Sequence, residues 1–159
     1  MILDAQAQFS SSQALTSTGA VGENVIDLQV ARSMGHGEPL GVVFVVEVAA
    51  DQTSGDEDYT FEVEYATNAA QSTGRQLVGR RVFESGNPDA PAQNADLLVP
   101  GFKFVIPIPA VSIDEAARYL GIRSVMAGST PTITISAWLQ PLSMIADPII
   151  HYANNSTIA

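Results

Sequence analysis

Apolar and polar residues alternate with a period of two through much of this chain, and this pattern constrains the fold more than any other feature of the sequence. Residues 60–65, 102–109 and 132–139 each place an apolar side chain at every second position. Because successive side chains of a β-strand point to opposite faces, each run has one face for a core and one for solvent or a partner. The alternation predicts a strand in all three ranges.

Four further segments have strand character, residues 24–28, 40–48, 76–84 and 118–126, and clusters of Gly, Pro, Ser and Asn separate the runs. A weak helix signal, a capping serine followed by two acids, occurs at residues 112–117 and allows a turn or two. The chain is therefore predicted to be all-β, a jelly-roll β-sandwich of about seven to eight strands.

The two ends differ in composition from the middle of the chain. Residues 1–23 are rich in Ala, Gln, Ser, Thr and Gly, which predicts an N-terminal arm or a strand that needs a partner. Residues 24–140 form the predicted sandwich domain, with a long surface loop at 86–95. Residues 141–159 form a C-terminal tail whose apolar side chains favour burial.

Charge and composition exclude several classes of partner. The chain has 159 residues and a net charge of −10, the wrong sign for binding nucleic acid or an anionic membrane surface. It has no cysteine, which excludes disulfides and thiolate sites. Neither a signal peptide nor an apolar run of about 18 residues is visible, so we expect synthesis in a cytoplasm and no membrane partner.

The sequence offers little for a metal centre. His36 lies between two glycines shortly before Pro39, which is typical of a tight turn, and the other histidine, His151, lies in the tail. Asp56, Glu57 and Asp58 do not follow the alternating pattern of a calcium loop, so a solvated hairpin loop is predicted, with calcium as the minor alternative.

Nucleophile-elbow, P-loop and dinucleotide motifs do not occur in the sequence. Convergent titratable groups of the kind that an active site requires could not be assembled from it. We therefore predict no enzyme activity, no catalytic residue and no cofactor.

A series of short motifs, in order from residue 1 to about residue 140, resembles the capsid cement proteins of short-tailed bacteriophages, the type described from Bordetella phage. The residues that carry the resemblance are Met1–Gln6, Phe9-Ser10, Gln13-Ala14, Glu23–Leu28, Ala31-Arg32, Gly35–Leu40, Gly101–Phe104, Pro107–Pro109 and Arg118–Gly121. The tail after residue 140 departs from the family pattern, and the loop at 86–95 is longer than usual.

The resemblance implies a jelly roll without catalytic activity, made in the bacterial host cytoplasm and located on the outer capsid surface of the virion. Its implied partners are the major capsid protein and a second copy of itself, with a homodimer favoured and a trimer open because of the tail. Two alternatives come from other classes, namely a glycan-binding virion accessory and a metal-dependent jelly-roll enzyme.

Contacts with the capsid or between subunits are expected at three places. In the arm they are Phe9 and Leu15, and on one strand they are Arg80 and Arg81, whose side chains point to opposite faces. In the tail they are Ile145, Ile149, Ile150 and Tyr152. The alternative is that arm and tail fold back onto their own sandwich. Trp138 is either a second-face core residue or an interface anchor.

Overall fold

The computed structural model describes residues 5–16, 18–29, 37–85, 94–109 and 117–145. Over these ranges the chain forms strands β1 to β9 and three short 3₁₀ helices. The strands are Gln8–Leu15, Ala20–Val21, Ile26–Asp27, Leu40–Val48, Asp58–Ala66, Gln76–Glu84, Lys103–Ile108, Tyr119–Ala127 and Ile133–Pro141. The 3₁₀ helices are Ala5–Ala7, Ala95–Leu97 and Leu142–Met144.

The strands form two antiparallel sheets that face each other. Sheet A has the order β1-β9-β4-β7, and sheet B has β8, β5 and β6 in sequence, with β2 and β3 one after the other along the free edge of β8. Strand β1 thus pairs with β9, β2 and β3 both pair with β8, β4 pairs with β7, and β5 pairs with β6. This nested pairing is that of a jelly roll, which confirms the predicted fold class. Because β2 and β3 share one position, the sandwich has eight strand positions.

The core between the sheets is built from the residues at every second position. Phe44 on β4 stacks on Phe104 on β7 with ring centroids 4.9 Å apart, and Phe61 on β5 lies 5.1 Å from the Phe104 ring. All three rings are buried. A buried aromatic side chain contributes about 2 to 3 kcal/mol to the free energy of folding, so this cluster holds the sheets together.

The N-terminal arm predicted for residues 1–23 is, in its central part, a strand of the sandwich. Residues Gln8–Leu15 form β1 and pair with β9, with both Phe9 and Leu15 buried in the core. Two register shifts and a left-handed Ser12 (φ 49°) interrupt its alternation. The sandwich therefore begins within the predicted arm, because β1 needs the edge of β9 as a partner.

The longer strand predictions agree closely with the structure, whereas the segment 24–28 forms only the two-residue strand β3, Ile26–Asp27. Segments 40–48 and 76–84 coincide with β4 and β6, and the segment 118–126 differs from β8 by one residue at each end. The helix expected at 112–117 lies outside the described residues except for Ala117, which is buried. Most of the loop at 86–95 and both histidines also lie outside them.

The acidic run is the second difference from the sequence prediction. The segment that precedes Asp58 connects β4 in sheet A with β5 in sheet B, so it is not a hairpin. Glu57 is buried, and its carboxylate accepts hydrogen bonds from the backbone N–H groups of Ser54 and Asp56 at 3.0 and 3.1 Å. This carboxylate caps its own loop, which is why burial replaces solvation.

Candidate interaction surface

A buried ion-pair network covers part of the outer face of sheet B. Glu64 on β5 is almost fully buried and binds Arg123 on β8, with Oε1 3.0 Å from Nε, and Arg75, with Oε2 2.8 Å from Nε. Arg123 also donates to the carbonyls of Gly19 and Gln71. Glu64 and Arg123 satisfy each other, so these two buried groups serve the fold, whereas Arg75 is partly exposed at the edge of the network.

The β5–β6 loop lies over the same face. Gln71 is buried, and its side-chain amide is positioned to donate to the Ile122 carbonyl and to accept from the Gly121 N–H, each at 3.1 Å. A Cβ on Gly121 would lie 1.8 Å from the side-chain amide of Gln71. The glycine is therefore required for the loop to approach β8 this closely.

The basic residues are distributed unevenly over the described part of the chain. Arg75, Arg118 and Arg123 form ion pairs. Arg80 on β6 and Lys103 on β7 are exposed and have no ion-pair partner among the described residues. In a chain with net charge −10, these two cations are available to a partner with negative charge.

Arg80 and Lys103 lie on neighbouring edge strands at one lateral side of the sandwich, and their side chains point to the outer faces of opposite sheets, Arg80 to that of sheet B and Lys103 to that of sheet A. Strands β6 and β7 are edge strands of different sheets, and a Cβ built on Gly79 of β6 would meet Ile106 Cγ2 of β7 at 2.8 Å. The guanidinium of Arg81 lies 5.3 Å from the Phe83 ring centroid, at the border between the two strands. Burial lowers the pKa of Arg81.

We call this region the β6–β7 side and define it by the residues Leu77, Arg80, Arg81, Lys103 and Pro107. Leu77 is 49% exposed and is one of the exposed large apolar side chains of the described residues. Two sheet edges meet at this side, with Arg81 between them and with Leu77, Arg80 and Lys103 exposed on the outer faces next to it. Sheet edges are sites at which an extended segment of a partner protein can add.

The outward-facing residues of sheet A form a second, different surface. In the pairing register, Val43 on β4 lies between Val105 on β7 and Trp138 on β9. We call this surface the sheet A outer face. It consists of the outward-facing residues of β4, β7 and β9, which are Gly41, Val43, Val45, Lys103, Val105, Pro107, Thr134, Ser136, Trp138 and Gln140. Lys103 is the charged member of this set.

The chain matches the family model described as Bbp16 over residues 9–138, from the start of β1 to the last strand. The chain belongs to the Bbp16 family. The family name indicates a Bordetella phage protein, so this is a phage-type protein with an all-β fold. Among curated proteins, none matches the chain. Within the described residues, no helix is long and apolar enough to span a membrane.

Residues predicted as contacts fall into three groups in this Bbp16-family fold. Phe9 and Leu15 are core residues of the monomer and are not surface contacts. Arg80 is exposed, and Arg81 is half-buried and turned toward the core, as their adjacent strand positions require. Ile145 is half-buried, directly after the last 3₁₀ helix. Ile149, Ile150 and Tyr152 lie outside the described residues.

Trp138 belongs to the sheet A outer face and is half-buried, so it is not part of the core between the sheets. Its indole N–H donates to the side-chain oxygen of Gln140 at 2.8 Å.

Two features of the molecule had no clear signal in the sequence. The burial of Gln71 and the pairing of Glu64 with Arg123 both depend on contacts between distant segments.

The two alternative functions gain no support from the described residues. Among them, no group of three or more His, Cys, Asp or Glu side chains could hold a metal ion. Glycan sites usually present an exposed aromatic ring. The large apolar side chains that are exposed here are Val48, Leu77, Val99, Val125 and Met144, all non-aromatic.

Proposed function

We propose that this chain is a capsid cement protein, a structural virion protein that binds the outer surface of an assembled phage capsid and bridges adjacent major capsid subunits. The observation that carries the proposal is the family match over residues 9–138, which covers the whole jelly roll from β1 into β9. The bonding of the buried carboxylates supports the proposal. Glu57 caps its own loop, and Glu64 holds β5 to β8 and to Arg75.

A protein of this kind stabilises a capsid by mass action. It binds the assembled shell more tightly than free subunits, and the difference in binding free energy adds to the stability of the shell. If two copies associate, the second contact forms at high effective concentration, so each single interface can be weak. A rigid sandwich suits this role because it transmits force across a seam without changing shape.

The β6–β7 side is the surface that we assign to the capsid. Arg80 and Lys103 attract a partner with negative charge, and Leu77 supplies apolar area at the same side. Edge strands can also add main-chain hydrogen bonds to an extended segment of a partner. Because the chain has 17 acidic and only 7 basic residues, its exposed cations are the favoured points of approach to an acidic seam.

The proposal is tested by co-sedimentation of the purified full chain with capsids assembled without it. We expect the chain to sediment with assembled capsids, to saturate at a fixed ratio to the major capsid subunit, and to leave unassembled subunits unbound. Capsids that bind the chain should also resist heat or chelator treatment better than bare ones. Absence of saturable binding to assembled capsids would contradict the proposal.

A further inference from the structure

The sheet A outer face is more apolar than an outer sheet face open to water usually is. Val43 is buried although it points away from the core between the sheets, because its register neighbours Val105 and Trp138 lie beside it. Val45, Val105 and Trp138 themselves remain partly exposed. The central row of this face therefore still has apolar area in contact with water.

The chain that follows β9 begins to cover this face. Leu142 lies over Gly41, since a Cβ built on Gly41 would be 2.6 Å from Leu142 Cδ2 and 2.8 Å from Val105 Cγ1. The backbone N–H of Leu142 donates to the Pro39 carbonyl at 2.8 Å. The Gln140 side chain donates to the Met144 carbonyl at 2.7 Å. These contacts place the start of the C-terminal segment against the margin of the face, beside Gly41 and Gln140.

We propose that the sheet A outer face is the docking site of this chain's own C-terminal segment, residues 146–159. The segment starts directly after Ile145 and has 14 residues, including Ile149, Ile150 and Tyr152. Fully extended it reaches about 45 Å, whereas the four strands of sheet A span about 15 Å. The segment is therefore long enough to pass over Val105, Val43 and Trp138.

Charge and connectivity favour the segment over other occupants. Its one acidic side chain is Asp147, and Lys103 is the charged side chain on the face. Because the segment is tethered where Leu142 already occupies the face, docking has the high effective concentration of an intramolecular contact. Docking then covers the central row of the sheet A outer face in the free protein, whereas Leu77 and Arg80 on β6 of sheet B stay exposed.

The test uses Trp138, which is the chain's one tryptophan, as a reporter on the face. A full-length variant with Ile149→Ser, Ile150→Ser and Tyr152→Ser is compared with a control that carries Asn154→Ser and Asn155→Ser. We expect a red-shifted Trp138 emission and stronger quenching by acrylamide in the first variant, and no change in the control. Equal spectra in the two variants would overturn the proposal.

A second measurement separates docking within one chain from docking onto a second copy. The chain has no cysteine, so Val105→Cys can be combined in turn with Ile149→Cys, Ile150→Cys or Tyr152→Cys. We expect at least one pair to form a disulfide within a monomer under oxidation. Disulfides that form only between two chains, or in none of the three double-cysteine variants, would overturn the proposal. Val125→Cys, on the outer face of sheet B, is the control position and should not cross-link. Neither measurement involves a capsid, so this inference can fail independently of the proposed function.

Discussion

The guanidinium of Arg123 and the carboxylate of Glu64 form an ion pair of 3.0 Å beneath the β5–β6 loop, with 12% of the Arg123 side chain and 2% of the Glu64 side chain exposed. Arg123 connects β8 to Gly19 and to the Gln71 carbonyl as well. This pair therefore fixes the loop and the edge of sheet B at once. Removing one charge from it leaves the other without compensation in a place that water does not reach.

Glu64→Gln should lower the free energy of unfolding by about 3 kcal/mol, because the buried Arg123 loses its charged partner. Glu62→Gln is the matched control. Glu62 is 3.6 Å from the half-exposed Arg75, a pair that contributes about 0 to 1 kcal/mol. Urea unfolding of both variants measures the difference. Equal losses would mean that the network does not hold the loop.

Gly121→Ala should lower the free energy of unfolding by about 2 kcal/mol, since the new methyl group displaces the Gln71 side chain. Combining Gly121→Ala with Gln71→Ala should recover part of that loss, because the smaller side chain makes room. A double-mutant cycle measures the coupling between the two positions. Strict additivity at Gly121 and Gln71 would contradict the close approach.

The stability of the protein should fall at alkaline pH because of Tyr59. Its hydroxyl donates to the Asp51 carbonyl at 2.5 Å, and burial raises the pKa of Tyr59 to about 12. The unfolded chain releases this proton near pH 10, so the contribution of Tyr59 is complete below pH 10 and is lost as the pH rises to about 12. Tyr59→Phe should remove that part of the pH dependence, whereas Tyr119→Phe should keep it. If the free energies of unfolding of Tyr59→Phe and of the unmodified chain fell in parallel as the pH rises to about 12, the assignment of this pH dependence to Tyr59 would be refuted.

The sequence predicts the strands that bury a full face and misses the elements that depend on a partner. Strands β4 and β6 are found at their predicted bounds because turn residues flank both segments and neither needs distant information. For β1 the sequence leaves an arm and a strand that needs a partner as alternatives, because Ser and Gln separate its inward residues Phe9 and Leu15 and its bulges break the period of two.

The candidate surface was only partly accessible to sequence reasoning. The alternation places Arg80 and Arg81 on opposite faces, as the structure has them. The sequence does not predict that β7, which carries Lys103, lies beside β6, because these strands belong to different sheets and meet only in the folded sandwich. Glu57 was expected in solvent, since its capping of the Ser54 and Asp56 N–H groups depends on the path of the loop.

Capsid binding should depend on the cations of the β6–β7 side. Arg80→Ala combined with Lys103→Ala should weaken binding by about tenfold or more at low salt, with a smaller effect at high salt. Val48→Glu combined with Val99→Glu is the control, since both residues are exposed and the two changes alter the net charge equally. If both double variants lose the same affinity, overall charge decides and the β6–β7 side does not.

The most direct measurement of the central claim is the copy number and position of this chain in purified, infectious particles of the phage that encodes it. Quantitative mass spectrometry gives its ratio to the major capsid subunit, and cryo-electron microscopy at subnanometre resolution places the jelly roll. The account predicts a fixed stoichiometric ratio, with the sandwich on the outer shell across subunit boundaries. Absence of the chain from mature particles, or a location inside the shell, would contradict it.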